Sequence, residues 1–146
     1  RFCAQGLTDA QAAQTPTASA LSIGGIVKHV TRMEARWTNF MVHGTSAMQF
    51  DESSYAAHAA SFEFGPEDNL EVVLKEYDER GRTTDELVAG LASLDDGHPL
   101  PEAPWFPQGA RWSARRVVAH LIMETAQHAG HADIIRETLD GQKTMG

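Results

Sequence analysis

The stretch SARRVVAHLIMETAQHAGHADIIRETLDG, residues 113–141, reads as one long amphipathic helix. Its apolar side carries Glu124 and His128 where leucine or valine is expected. Ser113 supplies an N-cap oxygen and Gly141 a left-handed stop. At about 100° per residue, His120, Glu124, His128 and His131 fall within roughly 80° of one another, on the side of Val117, Leu121 and Ile135. These polar groups therefore point inward. An ionised carboxylate there costs several kcal/mol unless it is paired or bound to a cation. No lysine or arginine occupies an adjacent turn; Arg116 is two turns back and Lys143 lies beyond the helix.

A second helix has a matching feature. In SALSIGGIVKHVTRMEARWTNFMVHG, residues 19–44, Ile26, Val30, Met33, Trp37 and Phe40 recur at three- and four-residue steps and form one stripe. Ser19 or Ser22 can cap this helix and Gly44 can end it; Gly24 and Gly25 either permit close backbone approach or precede the helix proper. His29 sits on the stripe. A bundle turns such stripes toward one another, so His29 meets Glu124 and His128, and Glu and His four residues apart can share one ion. A lone histidine on an apolar face is more often a hydrogen-bonded core residue. Three polar groups converging on two apolar stripes shift the reading toward a metal.

The rest of the chain is consistent with an all-α domain spanning residues 1–146. GLTDAQAA, residues 6–13, forms a short helical turn capped by Thr8 or Asp9. Residues 45–69 read as a long loop with one helical turn over Ser54–Ala60. Residues 69–94, NLEVVLKEYDERGRTTDELVAGLASL, form another long helix with Val73, Leu74, Tyr77, Leu87, Val88 and Leu91 inward and Gly81 as an interior blemish. The following DDGHPLPEAPWFPQGA is an ordered, non-repetitive loop. No segment alternates with a strand period.

Composition narrows the partners. A formal net charge of -8 disfavours nucleic acid, and no basic cluster or long apolar run suggests a membrane. The single cysteine, Cys3, excludes an internal disulfide and fits a reducing cytoplasm; it reads as a small hydrophobe rather than a nucleophile. Tyr77 can reach the site with its hydroxyl, and Trp105, Phe106 and Trp112 can wall a pocket, although each also suits the core or the bundle end. Arg32, Arg36 and Arg82 suit an anionic substrate group less well than solvated surface charge. His43, His58 and His98 fall in or beside loops.

The segments GLTDAQAA, LSIGGIVKHVTRMEARW and WSARRVVAHLIMETAQHAGHADIIRETLDG resemble the DinB-like four-helix metalloproteins. The closest likeness is to their actinobacterial branch, which includes mycothiol-dependent maleylpyruvate isomerase and mycothiol S-transferases. The resemblance covers nearly the whole chain. It implies a four-helix bundle whose first helix would precede Arg1, with Arg1-Phe2 as its last turn. It implies a metal held by His29 together with the E-x-x-x-H pair Glu124 and His128, in the form used by the mycothiol-dependent branch. His131 stands where many relatives carry glutamine and is expected behind the ligands; His120 is an alternative ligand. The isomerase has an additional C-terminal domain without a counterpart before Gly146, so its specific activity is not expected here.

Two histidines and one glutamate with an open fourth position match catalytic zinc, while nickel or iron also suits imidazole. The expected activity is metal-dependent transfer of a low-molecular-weight thiol of the mycothiol type to an electrophile, with metal-bound thiolate as nucleophile. Two alternatives stand beside it. One is a metal-dependent hydrolase or isomerase using metal-bound water; the other is a non-catalytic metal-binding module, with a homodimer as its natural form.

Overall fold

The computed structural model describes residues 1–48 and 51–144. Its long elements are α2 (Ile23–His43), α4 (Leu70–Gly90) and α5 (Ala114–Asp140); α1 (Asp9–Ala12) and α3 (Glu52–Ala60) are short, and a small ribbon, β1 (Gly97–Pro99) with β2 (Arg111–Ser113), leads into α5. The fold is an all-α helical bundle, as the periodicities predict. Helix α2 is central and packs against both α4 and α5.

The termini follow from local chemistry. Ser22, not Ser19, caps α2 by accepting from the Gly25 amide, and Ser113 caps α5 by accepting from Arg116. Gly141 ends α5 in the left-handed region, where its amide bonds the Glu137 carbonyl. Thr8 and Gln11 form a reciprocal capping box on α1. Asp9 then reaches across to α4, its carboxylate accepting from the Leu70 amide at 2.7 Å and the Asn69 side chain at 3.1 Å.

Two hydrophobic clusters fill the interior. One joins Trp37, Phe40, Met41, Val117 and Leu121, with Leu87 and Val88 against them. The other joins Ile23, Ile26, Leu70, Ala132 and Ile135, with Leu74 against them. The start of α2 thus meets the start of α4 and the end of α5. Helices α2 and α4 run parallel, whereas α2 and α5 run antiparallel. A parallel pair requires the chain to travel back along the bundle between them, and α3 with its flanks makes that return.

The structure departs from the sequence reading in three places. Helix α3 is a complete nine-residue helix rather than a turn, started by a capping box between Asp51 and Ser54. None of its residues is buried, which is why no apolar stripe marks it. Helix α4 stops at Gly90, four residues short of Leu94, while Leu91 and Leu94 still pack on the first cluster. The proline-rich segment holds the first strand of the ribbon, which pairs with residues just beyond it, Gly97 with Ser113 and Pro99 with Arg111. Three-residue strands are too short to show alternation.

Arg136 on α5 is also buried, a charge not anticipated from the sequence. It pairs with Asp140 at 3.0 Å and donates to the Cys3 and Gln5 carbonyls, both at 2.8 Å, tying the first residues to the bundle. On the outer side of α5, Ile122, Met123 and Ile134 are exposed.

Gly24 and Gly25 lie inside the first turn of α2 because the return segment runs directly over them. A Cβ at position 25 would collide with the Phe62 carbonyl oxygen, and one at position 24 with the Phe64 ring. Gly81 in α4 has open space instead. Gly25→Ala is therefore expected to destabilise the protein by about 2 kcal/mol despite alanine's better helix propensity. Gly81→Ala should stabilise it by roughly 0.5–1 kcal/mol. Urea unfolding of both variants checks the contrast.

Candidate metal centre

The two clusters leave a seam halfway along α2 and α5, and the polar residues of the interior collect there. His29 follows Ile26 of one cluster and precedes Trp37 of the other; Glu124 and His128 lie between Leu121 and Ala132. His29 and His128 are buried, 3% and 8% exposed, and Glu124 is half-buried. One ligand atom from each of the three residues lies within 4.8 Å of the others. His128 Nε2 and Glu124 Oε2 are 3.7 Å apart. Bonds of about 2.0–2.2 Å at a tetrahedral ion separate donors by roughly 3.4 Å. The three side chains therefore fit a divalent cation with small movements.

Hydrogen bonding fixes which nitrogen His29 offers. Ser61, in the return segment after α3, donates its hydroxyl proton to the His58 carbonyl at 2.6 Å. That oxygen must then accept from His29 Nδ1, 2.8 Å away. His29 is the Nδ1–H tautomer, with the lone pair on Nε2. Phe62 stacks flat on the imidazole, with centroids 3.7 Å apart, and its ring also lies 5.7 Å from that of His128.

His128 follows the same logic. Its Nδ1 is 3.4 Å from His131 Nδ1, and one of the two must carry the proton. A lone pair on Nε2, the atom facing Glu124, requires the proton on His128 Nδ1, donated to His131. His131 lies beside His128 and outside the three-residue cluster. Outer hydrogen bonds of this kind orient histidine ligands.

Burial keeps the imidazoles neutral. It lowers the pKa of His29 from 6.5 to about 4, helped by the neighbouring His128 and His58. Burial also lowers His128, opposed by the charge of Glu124 and helped by His131. Neutral imidazole is the form that binds a metal.

A cavity of about 620 Å³ opens beside His29 and Glu124, between α2 and α3. His120 is on its wall, edge-on to Trp37 at 4.8 Å and Trp112 at 5.1 Å, and outside the ligand cluster. Its pKa is lowered by burial, with Glu124 opposing and Arg116 assisting. The other pocket candidates are not among the described residues lining this cavity. Tyr77 is half-buried on α4, where burial and the nearby Glu34 raise its pKa. Trp112 stacks on Trp37 at 4.5 Å, behind His120, and Trp105 is exposed beside Tyr55.

Ser61 and Phe62 were not singled out from the sequence, and His58 was set aside, although its ring lies 5.2 Å from His29 and it lines the cavity. Only the path of the return segment brings them together.

The family model for mycothiol-S-transferase matches residues 1–141. The chain belongs to the mycothiol S-transferase family. No curated protein and no solved structure matches it. For a member of this family, the E-x-x-x-H pair on α5 facing His29 is the feature that the sequence and the fold share.

Two outcomes are expected. Ser61→Ala should weaken zinc binding about 10- to 100-fold while leaving the helical circular dichroism unchanged, measured by competition with a chromophoric chelator. For the metal-free protein, His29 has a folded pKa below its unfolded one, so the unfolded state binds more protons between about pH 4 and pH 6.5. Stability contributed by neutral His29 is present above pH 6.5 and lost as pH falls through that window. Urea unfolding from pH 7 to pH 4 checks it, and His29→Gln should flatten the slope.

Proposed function

We propose that this protein is a metal-dependent transferase that joins a low-molecular-weight thiol of the mycothiol type to an electrophilic carbon. The observation that carries the proposal is the convergence of His29, Glu124 and His128 at the wall of a cavity, in a chain of the mycothiol S-transferase family. Two imidazoles and one carboxylate are a ligand set of catalytic zinc, which leaves a position for substrate. Nickel and iron suit the same donors.

A divalent cation bound there supplies the charge that lowers a thiol's pKa and keeps it as thiolate at neutral pH. The side chains do the rest. His29, with its proton committed to Ser61, and His128, with its proton directed to His131, each keep a lone pair on Nε2. Glu124 adds one negative charge, so the three-ligand set leaves a divalent cation with a net positive charge that favours an incoming thiolate over a neutral thiol. Phe62 stacks on the His29 ring, and Trp37 lines the cavity beside it. Transfer forms one carbon–sulfur bond; the thiol proton passes to solvent and the displaced group leaves with the bonding pair. His120 lines the same cavity. We assign the protein to the cytoplasm, the compartment in which such thiols stay reduced.

Cobalt substitution tests the reading. Adding mycothiol to the cobalt protein should produce an intense sulfur-to-metal charge-transfer band. Thioether formation with 1-chloro-2,4-dinitrobenzene should follow in the zinc protein. Glu124→Gln should lose about 100-fold or more in zinc affinity and lose the transferase activity with it. Turnover of the electrophile by the zinc protein without thiol, and no charge-transfer band, would instead mark water as the nucleophile.

A further inference from the structure

The outward side of α5 differs from the outward side of α4. Helix α4 shows solvent an ordinary charged face, with Lys75, Glu76, Glu79, Arg82 and Glu86 exposed along it. Helix α5 shows solvent Ala119, Met123, Ala126, Gln127, Gly130 and Ile134, all exposed and none charged. At about 100° per residue these positions fall within roughly 100° of one another, on the side away from Leu121 and His128. They form a stripe roughly 22 Å long, on a chain whose formal net charge is -8. Met123 is 48% exposed and Ile134 62%. Gly130 weakens the helix interior, and a Cβ there would meet nothing within 4 Å, so packing within one chain does not call for glycine.

The ends of the stripe carry charges opposed to the helix dipole. The N-terminal end of a helix favours acidic side chains and the C-terminal end basic ones. The first turn of α5 has no acidic residue and the last turn no basic one. Arg115 and Asp140 have partners in Asp95 and Arg136. Arg116 and Glu137 are exposed and continue the stripe at its two ends. Arg116 lies over the Trp112 ring, 4.8 Å from its centroid, which keeps the guanidinium at that end of α5.

Sequence spacing makes this face complementary to itself. A second α5 can run antiparallel to the first, with a two-fold axis midway between Ala126 and Gln127. Met123 and Gly130 are equally far from that midpoint, so the long side chain of one copy meets the glycine of the other. The same holds for Ile134 and Ala119, again large against small. It holds for Arg116 and Glu137, which brings opposite charges together at both ends and sets each helix N-terminus beside the other copy's C-terminus. A two-fold contact requires this reciprocity. A parallel pair would instead set Arg116 against Arg116 and Glu137 against Glu137.

We propose that the outer face of α5 binds a second copy of this chain, forming a two-fold dimer in which Met123 of each copy packs on Gly130 of the other and Arg116 pairs with Glu137. The inference does not depend on the metal or on the transferase reading. One helix face lies at the small end of interface sizes, so the dimer is weak and concentration-dependent.

Sedimentation of the protein across roughly 1–500 μM tests it, and a reversible monomer–dimer equilibrium is expected within that range. Gly130→Leu should weaken the dimer about tenfold or more, although it adds apolar surface that would strengthen non-specific association. Arg116→Glu and Glu137→Arg should each weaken it about fivefold, and the double variant should return to the wild-type constant. All three positions are exposed, so the circular dichroism of each variant should match that of the wild type. A monomer at every concentration would overturn the proposal and leave the face to a partner of different sequence. A dimer that Gly130→Leu leaves unchanged or strengthens would overturn it as well, and so would failure of the double variant to recover.

Discussion

The hydrogen bond from His29 to Ser61 is the constraint on which the centre depends. It joins the middle of α2 to the end of α3, and the hydroxyl's own proton is committed to the His58 carbonyl. That chain of donors leaves one nitrogen of His29 with a free lone pair. It also forces the return segment to lie close on α2, which in turn requires glycine at position 25 beneath the Phe62 carbonyl. Ring stacking by Phe62 completes the enclosure. The imidazole is thereby fixed in position and in tautomer by groups outside the three-residue cluster.

The site lies where the hydrophobic core is interrupted. Each of its two apolar clusters is built from both α2 and α5, and His29, Glu124 and His128 occupy the turns between them. Side chains on rigid, well-packed helices hold their geometry with little loss of freedom on binding, whereas ligands on loops must be ordered first. The aromatic groups divide the work. Trp37 and Trp112 pack beside His120, and Phe62 packs against the rings of His29 and His128.

Much of this was legible in the sequence, for a physical reason. Helix periodicity places Glu124 and His128 on an inward face, and only a few arrangements make an inward carboxylate acceptable. His29 was readable on the same grounds. The expected helices α2 and α5 appear with their caps at Ser22, Ser113 and Gly141. What was not legible depends on the return segment. Helix α3 buries no residue, so its sequence has no stripe, and the approach of Ser61 and Phe62 to His29 spans more than thirty positions. Arg36 illustrates a different limit: it reads as ordinary surface charge yet is half-buried on the cavity wall, whereas Arg32 is exposed, as solvated charge should be.

Ser61 is the C-cap of α3 as well as the partner of His29. A ligand that prefers His29 in its Nδ1–H tautomer must also prefer the docked position of that helix end, and linkage makes the preference mutual. Replacing Ser61 would therefore disturb two things at once, the end of α3 and the tautomer of His29.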